Sequence, residues 1–184
     1  MAFAWYRAQV RMRPMMTQAM TTGALFGAGD VIAQTIAKGK APQELDYMRT
    51  IRNAGYGLCA FGPAVQVWYR MIEKIRFQAY PKLDLPAKIL ADQVIFTPVH
   101  LACFFGYHAY LEGKSIGDAL KQKFWPAIRA NWMLWPAVQM VNFTLVPAEL
   151  RVLFVNVVAL AWNAYLSTKA ADSSENHLQY PRRR

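Results

Sequence analysis

Apolar and polar positions along the chain are sorted into whole segments rather than alternating residue by residue. Four long apolar segments stand out, at residues 15–37, 54–70, 88–111 and 150–167. A fifth, from Ala130 to Ala148, carries no charge but is interrupted by Pro136 and Pro147. These segments are too long and too uniformly apolar for the strands of a membrane barrel. The pattern predicts an all-α integral membrane helical bundle of four to five apolar segments plus amphipathic interfacial helices.

The proline-bearing segment has an unusual mixture of residue types. It combines Trp132 and Trp135 with Gln139 and Asn142, which lie one helical turn apart. A membrane helix tolerates proline because neighbouring groups satisfy the freed carbonyl. Amide side chains occur in such a helix where they face other helices or water. The segment therefore indicates a membrane protein with a polar interior, and it either crosses the bilayer or forms a re-entrant piece.

Amphipathic and polar segments divide the rest of the chain. Residues 1–14 are rich in arginine and free of acidic residues, which predicts a basic amphipathic helix that anchors at the interface, targets the mitochondrion, or does both. Residues 15–168 are the expected transmembrane bundle, and residues 169–184 a polar, mobile tail. Within the bundle, 116–130 is predicted to lie at the interface. Asp46 is placed to cap the helix that follows it.

Composition adds a constraint on the helices. The chain is 55% hydrophobic, yet its mean hydropathy is only +0.08, because 21 Lys and Arg stand against 11 Asp and Glu, a net charge of +10. Since the loops are short, several helices are expected to carry a polar stripe. The basic residues are spread between apolar segments, which favours anionic lipid over nucleic acid as a partner.

Polar residues inside the apolar segments are the candidates for function. Those for a pore lining or polar interior are Asp30, Gln34, Asp92, Gln93, Gln139 and Asn142. A carboxylate in a membrane helix is costly unless it is paired or hydrated. The alternative to a pore lining is therefore helix packing, and for Asp30 this means a buried salt bridge. The candidate partners of Asp30 are Arg49, Arg52 and Arg129.

Aromatic residues have two interpretations. The candidates for a gate or an interface anchor are Trp132, Trp135, Pro136 and Phe143. A hydrophobic constriction can gate by dewetting, whereas the same rings at headgroup level would only anchor a helix. Trp68 and Tyr69, beside Arg70, indicate an interface anchor.

The sequence offers little for catalysis. Cys59 and Cys103 lie in apolar segments and are expected to be buried thiols, or a redox pair if their Cα atoms come within about 7 Å. His100 and Cys103 lack a third ligand nearby, so no metal site is predicted. No phosphate-binding loop, dinucleotide fingerprint or nucleophile motif occurs. We therefore expect neither an enzyme nor a cofactor.

Motifs along most of the chain resemble one known family. In the first half they are Pro14 with Thr17, Gly29-Asp30 with Gln34, Asp46 with Arg49 and Arg52, Gly62-Pro63 with Trp68-Tyr69, and Asp92-Gln93 with Pro98. In the second half they are Glu112-Gly113, Trp132, Trp135-Pro136, Gln139, Asn142-Phe143, Val146-Pro147, Arg151, Trp162 and Tyr165-Leu166-Ser167. Residues 5–168 thus resemble the family of the 22-kilodalton peroxisomal membrane protein, and among its members the fungal stress-inducible mitochondrial inner-membrane protein.

The resemblance implies a function that the residues alone leave open. It implies a multi-pass protein of the mitochondrial inner membrane, with the peroxisomal membrane as the alternative. It also implies channel activity, with roles in ethanol use, heat stress and maintenance of mitochondrial DNA. We therefore expect a weakly selective, gated channel for small solutes or metabolites. A metabolite carrier or a non-conducting scaffold for membrane complexes is the alternative, and self-association into a homo-oligomer stays open.

Overall fold

The computed structural model describes residues 1–38 and 42–162, and within these ranges the chain is helical with short connections and no strand. Helix α1 is Ala2–Met12, α2 is Pro14–Lys38, α5 is Ile116–Leu145, and α6 covers residues 151–162. The long helices α3 and α4 each contain a π-helical turn. The parts of α3 are Tyr47–Tyr56, Gly57–Phe61 and Gly62–Ile72, and those of α4 are Asp84–Ala91, Asp92–Phe96 and Thr97–Leu111. The all-α class is confirmed. The expected tail, 169–184, lies outside the described residues.

Local sequence explains where these helices start and widen. The Asp46 side chain caps α3, as predicted, by accepting a hydrogen bond from the Arg49 backbone N–H at 2.9 Å. Pro63 and Pro98 each stand two residues after a π-helical turn. A proline has no N–H for the carbonyl one turn back, and the extra residue of a π turn absorbs that mismatch.

Helices α2 and α3 approach each other through glycines. A Cβ atom on Gly62 would lie 2.8 Å from the Cα of Ala19, and one on Gly57 would lie 2.9 Å from Cγ of Phe26. A Cβ on Gly23, part of a GxxxG pattern, would meet the Cβ of Leu58 at 2.9 Å. Such distances leave no room for a methyl group, so this interface requires glycine on both helices.

The interior of the bundle is more polar than that of most soluble proteins, and the exterior is more apolar. Helix α3 contributes much of the apolar core: Tyr56, Phe61, Val65, Tyr69 and Ile72, with Val152 and Val155 of α6. The buried polar residues are Gln18, Thr22, Asp30, Gln34, Asp92, Gln93, Thr97, Gln139, Asn142 and Asn156. Exposed large hydrophobic residues include Met20, Ile51, Leu90, Val94, Val99, Met133, Leu145 and Val157. This arrangement suits a protein surrounded by lipid.

One expected boundary is absent. The sequence predicted an interfacial helix at 116–130 followed by a separate proline-bearing segment, but α5 runs through both without a break. Pro126 and Pro136 lie inside it. Neighbouring helices pack against α5 and stabilise it despite the backbone hydrogen bonds that these prolines remove.

Among the described residues, one helical run is both long and apolar enough to cross a membrane, Pro81–Leu111. The four to five apolar segments expected from the sequence are thus not established as spans. Polar and charged residues lower the hydropathy of the other long helices, for example Asp30 in α2 and Arg129 in α5. The twelve residues at 151–162 are too short to qualify on their own.

Candidate functional site: a polar network beside a central cavity

A buried carboxylate organises the centre of the bundle. Asp92, at the start of the π-helical turn of α4, is 2% exposed. Its Oδ1 accepts a hydrogen bond from Nε1 of Trp68 at 3.0 Å. Its Oδ2 accepts from Nε2 of Gln93 and from Nε2 of Gln139, each at 2.9 Å. Every contact is an N–H donor, which is the arrangement an ionised carboxylate requires.

The network continues along α5 to a tyrosine on α3. The amide of Gln139 donates to the Tyr69 hydroxyl at 3.1 Å, and Asn142 donates to the same hydroxyl at 3.2 Å. Asn142 also donates to Oε1 of Gln139 at 3.0 Å. Since Gln139 and Asn142 lie three residues apart on one helix, a single face of α5 supplies both amides. The network therefore joins α3, α4 and α5 in the interior.

A second carboxylate network joins α2 to α3. Oδ1 of Asp30 forms a salt bridge with Nε of Arg49 at 2.8 Å and accepts from Asn53 at 2.9 Å. Oδ2 accepts from Gln34 at 2.8 Å and from the Thr50 hydroxyl at 2.7 Å. Asp30 thus has one cationic partner and three neutral donors, which is the packing arrangement considered from the sequence, with Arg49 as the partner.

The two carboxylates differ in charge compensation. Asp30 is paired with Arg49, whereas no Lys, Arg or His side chain in the described ranges forms a salt bridge with Asp92. Among the described residues, the side chains that hydrogen-bond Asp92 are neutral N–H donors. A buried charge without a counter-ion is costly in a low-dielectric interior. This contrast distinguishes the two sites that the sequence treated alike.

A cavity of about 320 Å³ lies beside Asp92, among residues of α2 to α6. Its polar lining residues are Tyr69, Asp92, Thr97, His100, Asn131 and Gln139. Its aromatic lining residues are Phe26, Phe61, Phe96, Phe104, Phe105, Trp135 and Trp162. Asp92 and Phe105 both line it, and 13 helical steps of 1.5 Å place them about 20 Å apart along α4. The cavity is therefore elongated along the bundle.

A second group of contacts, centred on Arg151, follows the polar network along α5. Past Asn142, the Arg151 guanidinium pairs with Glu73 and donates to the carbonyls of Phe143, at 3.3 Å, and Val146, at 3.1 Å. The guanidinium also lies 5.4 Å from the centre of the Phe143 ring. These contacts of Arg151 therefore join the ends of α3, α5 and α6 next to the network.

The structure separates the aromatic candidates. Trp135 lines the central cavity. Trp132 and Pro136 line an outer apolar groove between α4 and α5, where the Trp132 indole donates to the Gln93 carbonyl at 3.3 Å. Phe143 packs edge-on against Tyr69. Of the four, Trp135 is therefore the one placed to narrow the cavity.

Two interpretations of individual residues are corrected. Trp68 and Tyr69 do not form an interface anchor, because Tyr69 is 5% exposed and Trp68 hydrogen-bonds Asp92. Cys59 and Cys103 are exposed free thiols rather than buried ones. Each lies on an outer face of its helix, where surrounding lipid can cover it as protein would in a core. Whether they act as a redox pair stays a prediction.

Sequence reasoning missed several participants. Asn131 lines the cavity, and its Oδ1 is buried without a hydrogen-bond partner. The Tyr56 hydroxyl lies 3.1 Å from Nδ1 of His100, and the buried Asn156 donates to the Thr22 hydroxyl at 2.7 Å. The sequence signal for these residues is a polar side chain within an apolar helix, which Asn131 and Asn156 share with Asn142.

The N-terminal helix is tied to the far end of the chain. Arg11 donates to Oε2 of Glu149 at 3.0 Å, and Arg7 also pairs with Glu149. Hydrogen bonds from Arg11 and Arg7 hold the pKa of the Glu149 carboxyl below its usual value. Gln18 donates to the Glu149 carbonyl at 3.1 Å. α1 is therefore an integral part of the fold.

Comparison with known proteins identifies the family of the chain. The chain is 44% identical over 165 residues to Protein sym-1 of Neurospora crassa, covering 89% of this chain and 96% of that protein. This chain belongs to the Mpv17/PMP22 family. The family model, described as Mpv17 / PMP22 family, matches residues 109–167. Protein SYM1 of Saccharomyces cerevisiae is 36% identical over 187 residues, covering 96% of this chain and 95% of that protein. No solved structure matches the chain significantly. Together, the family and the apolar helix α4 identify a membrane protein.

Proposed function

We propose that this Mpv17/PMP22-family protein is a gated, weakly selective channel for small solutes or metabolites in the mitochondrial inner membrane. The observation that carries the proposal is the elongated cavity among α2 to α6, with Asp92 and Gln139 at one end. Polar residues beside a cavity in an apolar exterior are the arrangement expected of a membrane pathway. Support of ethanol metabolism, heat-stress tolerance and mitochondrial DNA maintenance is part of the proposal through the family resemblance.

Under this proposal, the described conformation corresponds to a closed state. Tyr69, Gln139 and Asn142 hydrogen-bond one another across the bundle, and Arg151 with Glu73 lies beyond them. An inner-membrane channel must rest closed, because an open pore would dissipate the proton gradient. Opening would require these side chains, or the Trp135 ring, to move out of the path.

The proposed location rests on α1 and on the resemblance. This helix carries Arg7 and Arg11 and contains no acidic residue, which is typical of mitochondrial targeting segments. Its ion pairs with Glu149 favour a targeting segment that stays in the folded protein. Exposed basic residues would also attract anionic lipid, and assembly of several copies is compatible with the proposal.

Planar-bilayer recordings of the purified protein test the channel directly. We expect unitary current steps that depend on voltage or solute. Saturable exchange of one solute without unitary steps would instead make the protein a carrier. Absence of both conductance and exchange from folded protein would contradict the proposal.

One observation favours a second candidate, a non-conducting scaffold. Asp30 is contacted by Arg49, Asn53, Gln34 and Thr50, which supports a packing role for this polar cluster. If Asp92 had the same role, its network would hold helices together and the cavity would carry nothing. The scaffold predicts folded protein that is silent in bilayers and copurifies with other membrane complexes.

A further inference from the structure

We propose that the central cavity binds a small organic cation of the ammonium class, with Asp92 as its counter-ion. The inference rests on the proposed function, because it names the class of solute that the same cavity accepts. It follows from three properties of the cavity wall: its charge, its aromatic rings and its unpaired acceptor.

The charge of the wall is negative and uncompensated. Asp92 is the one formally charged side chain among the described residues that line the cavity. Its three hydrogen bonds come from neutral groups, whereas Asp30, equally inside the bundle, has Arg49 at 2.8 Å. A cation in the cavity would give Asp92 the partner that Asp30 finds within the protein. An anion there would face a carboxylate with no Lys or Arg among the described lining residues to offset it.

The rings of the wall suit a cation without a hydration shell. Phe96, Phe104 and Trp135 line the cavity together with Asp92. Aromatic faces attract cations, most strongly where water is excluded, and aromatic cages bind quaternary ammonium groups in this way. The indole of Trp68, which donates to Asp92, also stacks on Phe96 at a centroid distance of 5.4 Å. The carboxylate and the aromatic wall are thus held as one unit.

The unpaired acceptor favours an organic ion over a metal. Oδ1 of Asn131 is buried without a partner in the described structure, and it lies on a residue that lines the cavity. An N–H or O–H group of the ligand would satisfy it. Within the described ranges no group of three His, Cys, Asp or Glu side chains could hold a metal ion. A volume of about 320 Å³ also exceeds what a bare ion fills.

Choline and its uncharged isostere, 3,3-dimethyl-1-butanol, provide the test, because the two have the same shape and differ in charge. Binding to the purified full chain in detergent would be measured by titration calorimetry and tryptophan fluorescence at constant ionic strength. We expect saturable choline binding that is at least about tenfold tighter than binding of the isostere. Equal affinity for the two compounds, or no saturable binding of choline, would overturn the inference.

Variants locate the site. Asp92→Asn should weaken choline binding by at least about tenfold, since it removes the counter-ion. Glu112→Gln, which removes an equal charge from the exposed end of α4, should leave binding unchanged. If Asp92→Asn does not fold, Trp135→Leu with Trp132→Leu as its control replaces it, and only the Trp135 variant should bind more weakly. Unchanged affinity in a folded Asp92→Asn or Trp135→Leu protein would overturn the inference.

The binding experiment tests the ligand and the bilayer experiment tests transport, so a failure of one can be told apart from a failure of the other. Conductance without preferential choline binding would leave the channel proposal standing and remove the ligand assignment. Choline binding without conductance or exchange would support the ligand site and contradict the transport function.

Discussion

Gln139 donates from Nε2 to Oδ2 of Asp92 at 2.9 Å, and this bond joins α5 to α4 in the interior of the bundle. The other two donors to Asp92, Trp68 and Gln93, are also neutral. Asp30, in contrast, forms a salt bridge with Arg49. The two buried carboxylates therefore have different roles. We assign Asp30 to helix packing and Asp92 to the cavity, and the predictions below depend on that distinction.

Asp30→Asn should destabilise the protein without changing any conductance of the fraction that remains folded. The change removes the salt bridge to Arg49 and replaces an acceptor of several N–H and O–H groups by an amide. We expect a loss of about 1–3 kcal/mol, at the lower end because the Arg49 side chain is 40% exposed and can be rehydrated. Thermal unfolding in mild detergent measures it. Altered ion selectivity at unchanged stability would assign Asp30 to the pore instead.

Gly62→Ala should destabilise the contact between α2 and α3. A Cβ at this position would lie 2.8 Å from the Cα of Ala19 and 2.9 Å from the Gly57 carbonyl oxygen, so backbone must move. We expect a cost of about 1–3 kcal/mol. Gly55→Ala on the same helix is the matched control, because its nearest contact, the Tyr107 hydroxyl, is 3.8 Å away. The control should be neutral or slightly stabilising. Equal melting temperatures for the two variants would contradict the close approach of these helices.

Trp135→Ala should raise the open probability of the channel several-fold. Trp135 lines the cavity, and removing its ring widens a hydrophobic narrowing. Trp132→Ala is the control, because Trp132 lies in the outer groove and hydrogen-bonds the Gln93 carbonyl. Single-channel recordings of both variants, with thermal unfolding as a check on folding, measure the difference. Unchanged gating in a folded Trp135→Ala protein would remove Trp135 from the gate.

Docking of α1 should depend on pH through Glu149. Its pKa in the folded protein lies below the usual 4.5 because Arg11 and Arg7 hydrogen-bond the ionised form. The ion pairs therefore contribute fully above about pH 4.5, and this contribution is lost as the pH falls through the lower, folded-state pKa. The protection of the α1 amides, taken relative to their intrinsic exchange rate at each pH, should therefore fall over that acidic range.

Two comparisons separate Glu149 from other acid effects. Glu149→Gln should show fast exchange of α1 already at neutral pH, and high salt should have the same effect in the unaltered protein. Glu112→Gln, which breaks the exposed pair with Lys114, should not alter α1. Slow exchange of α1 in Glu149→Gln at neutral pH would show that apolar contacts alone hold this helix.

Local signals predicted a part of the fold and of the candidate site. The all-helical class followed from segment length, the start of α3 from Asp46 as a cap, and the set of polar interior candidates from polar residues within apolar segments. The end of the interfacial segment at residue 130 was wrong, because α5 continues through Pro136. Contacts with neighbouring helices compensate for the proline, and a single segment does not show which neighbours it has.

By itself, the sequence determined the helical class, the family and the residues that need a polar environment, because these depend on residue type and helical period. Only the tertiary structure decided that Arg49 pairs with Asp30, that neutral donors surround Asp92, and that Trp135 rather than Trp132 lines the cavity. The reason is physical. Charge compensation and cavity lining depend on distances between helices far apart in the chain, and the period of one helix specifies the face of a residue but not the helix that this face meets.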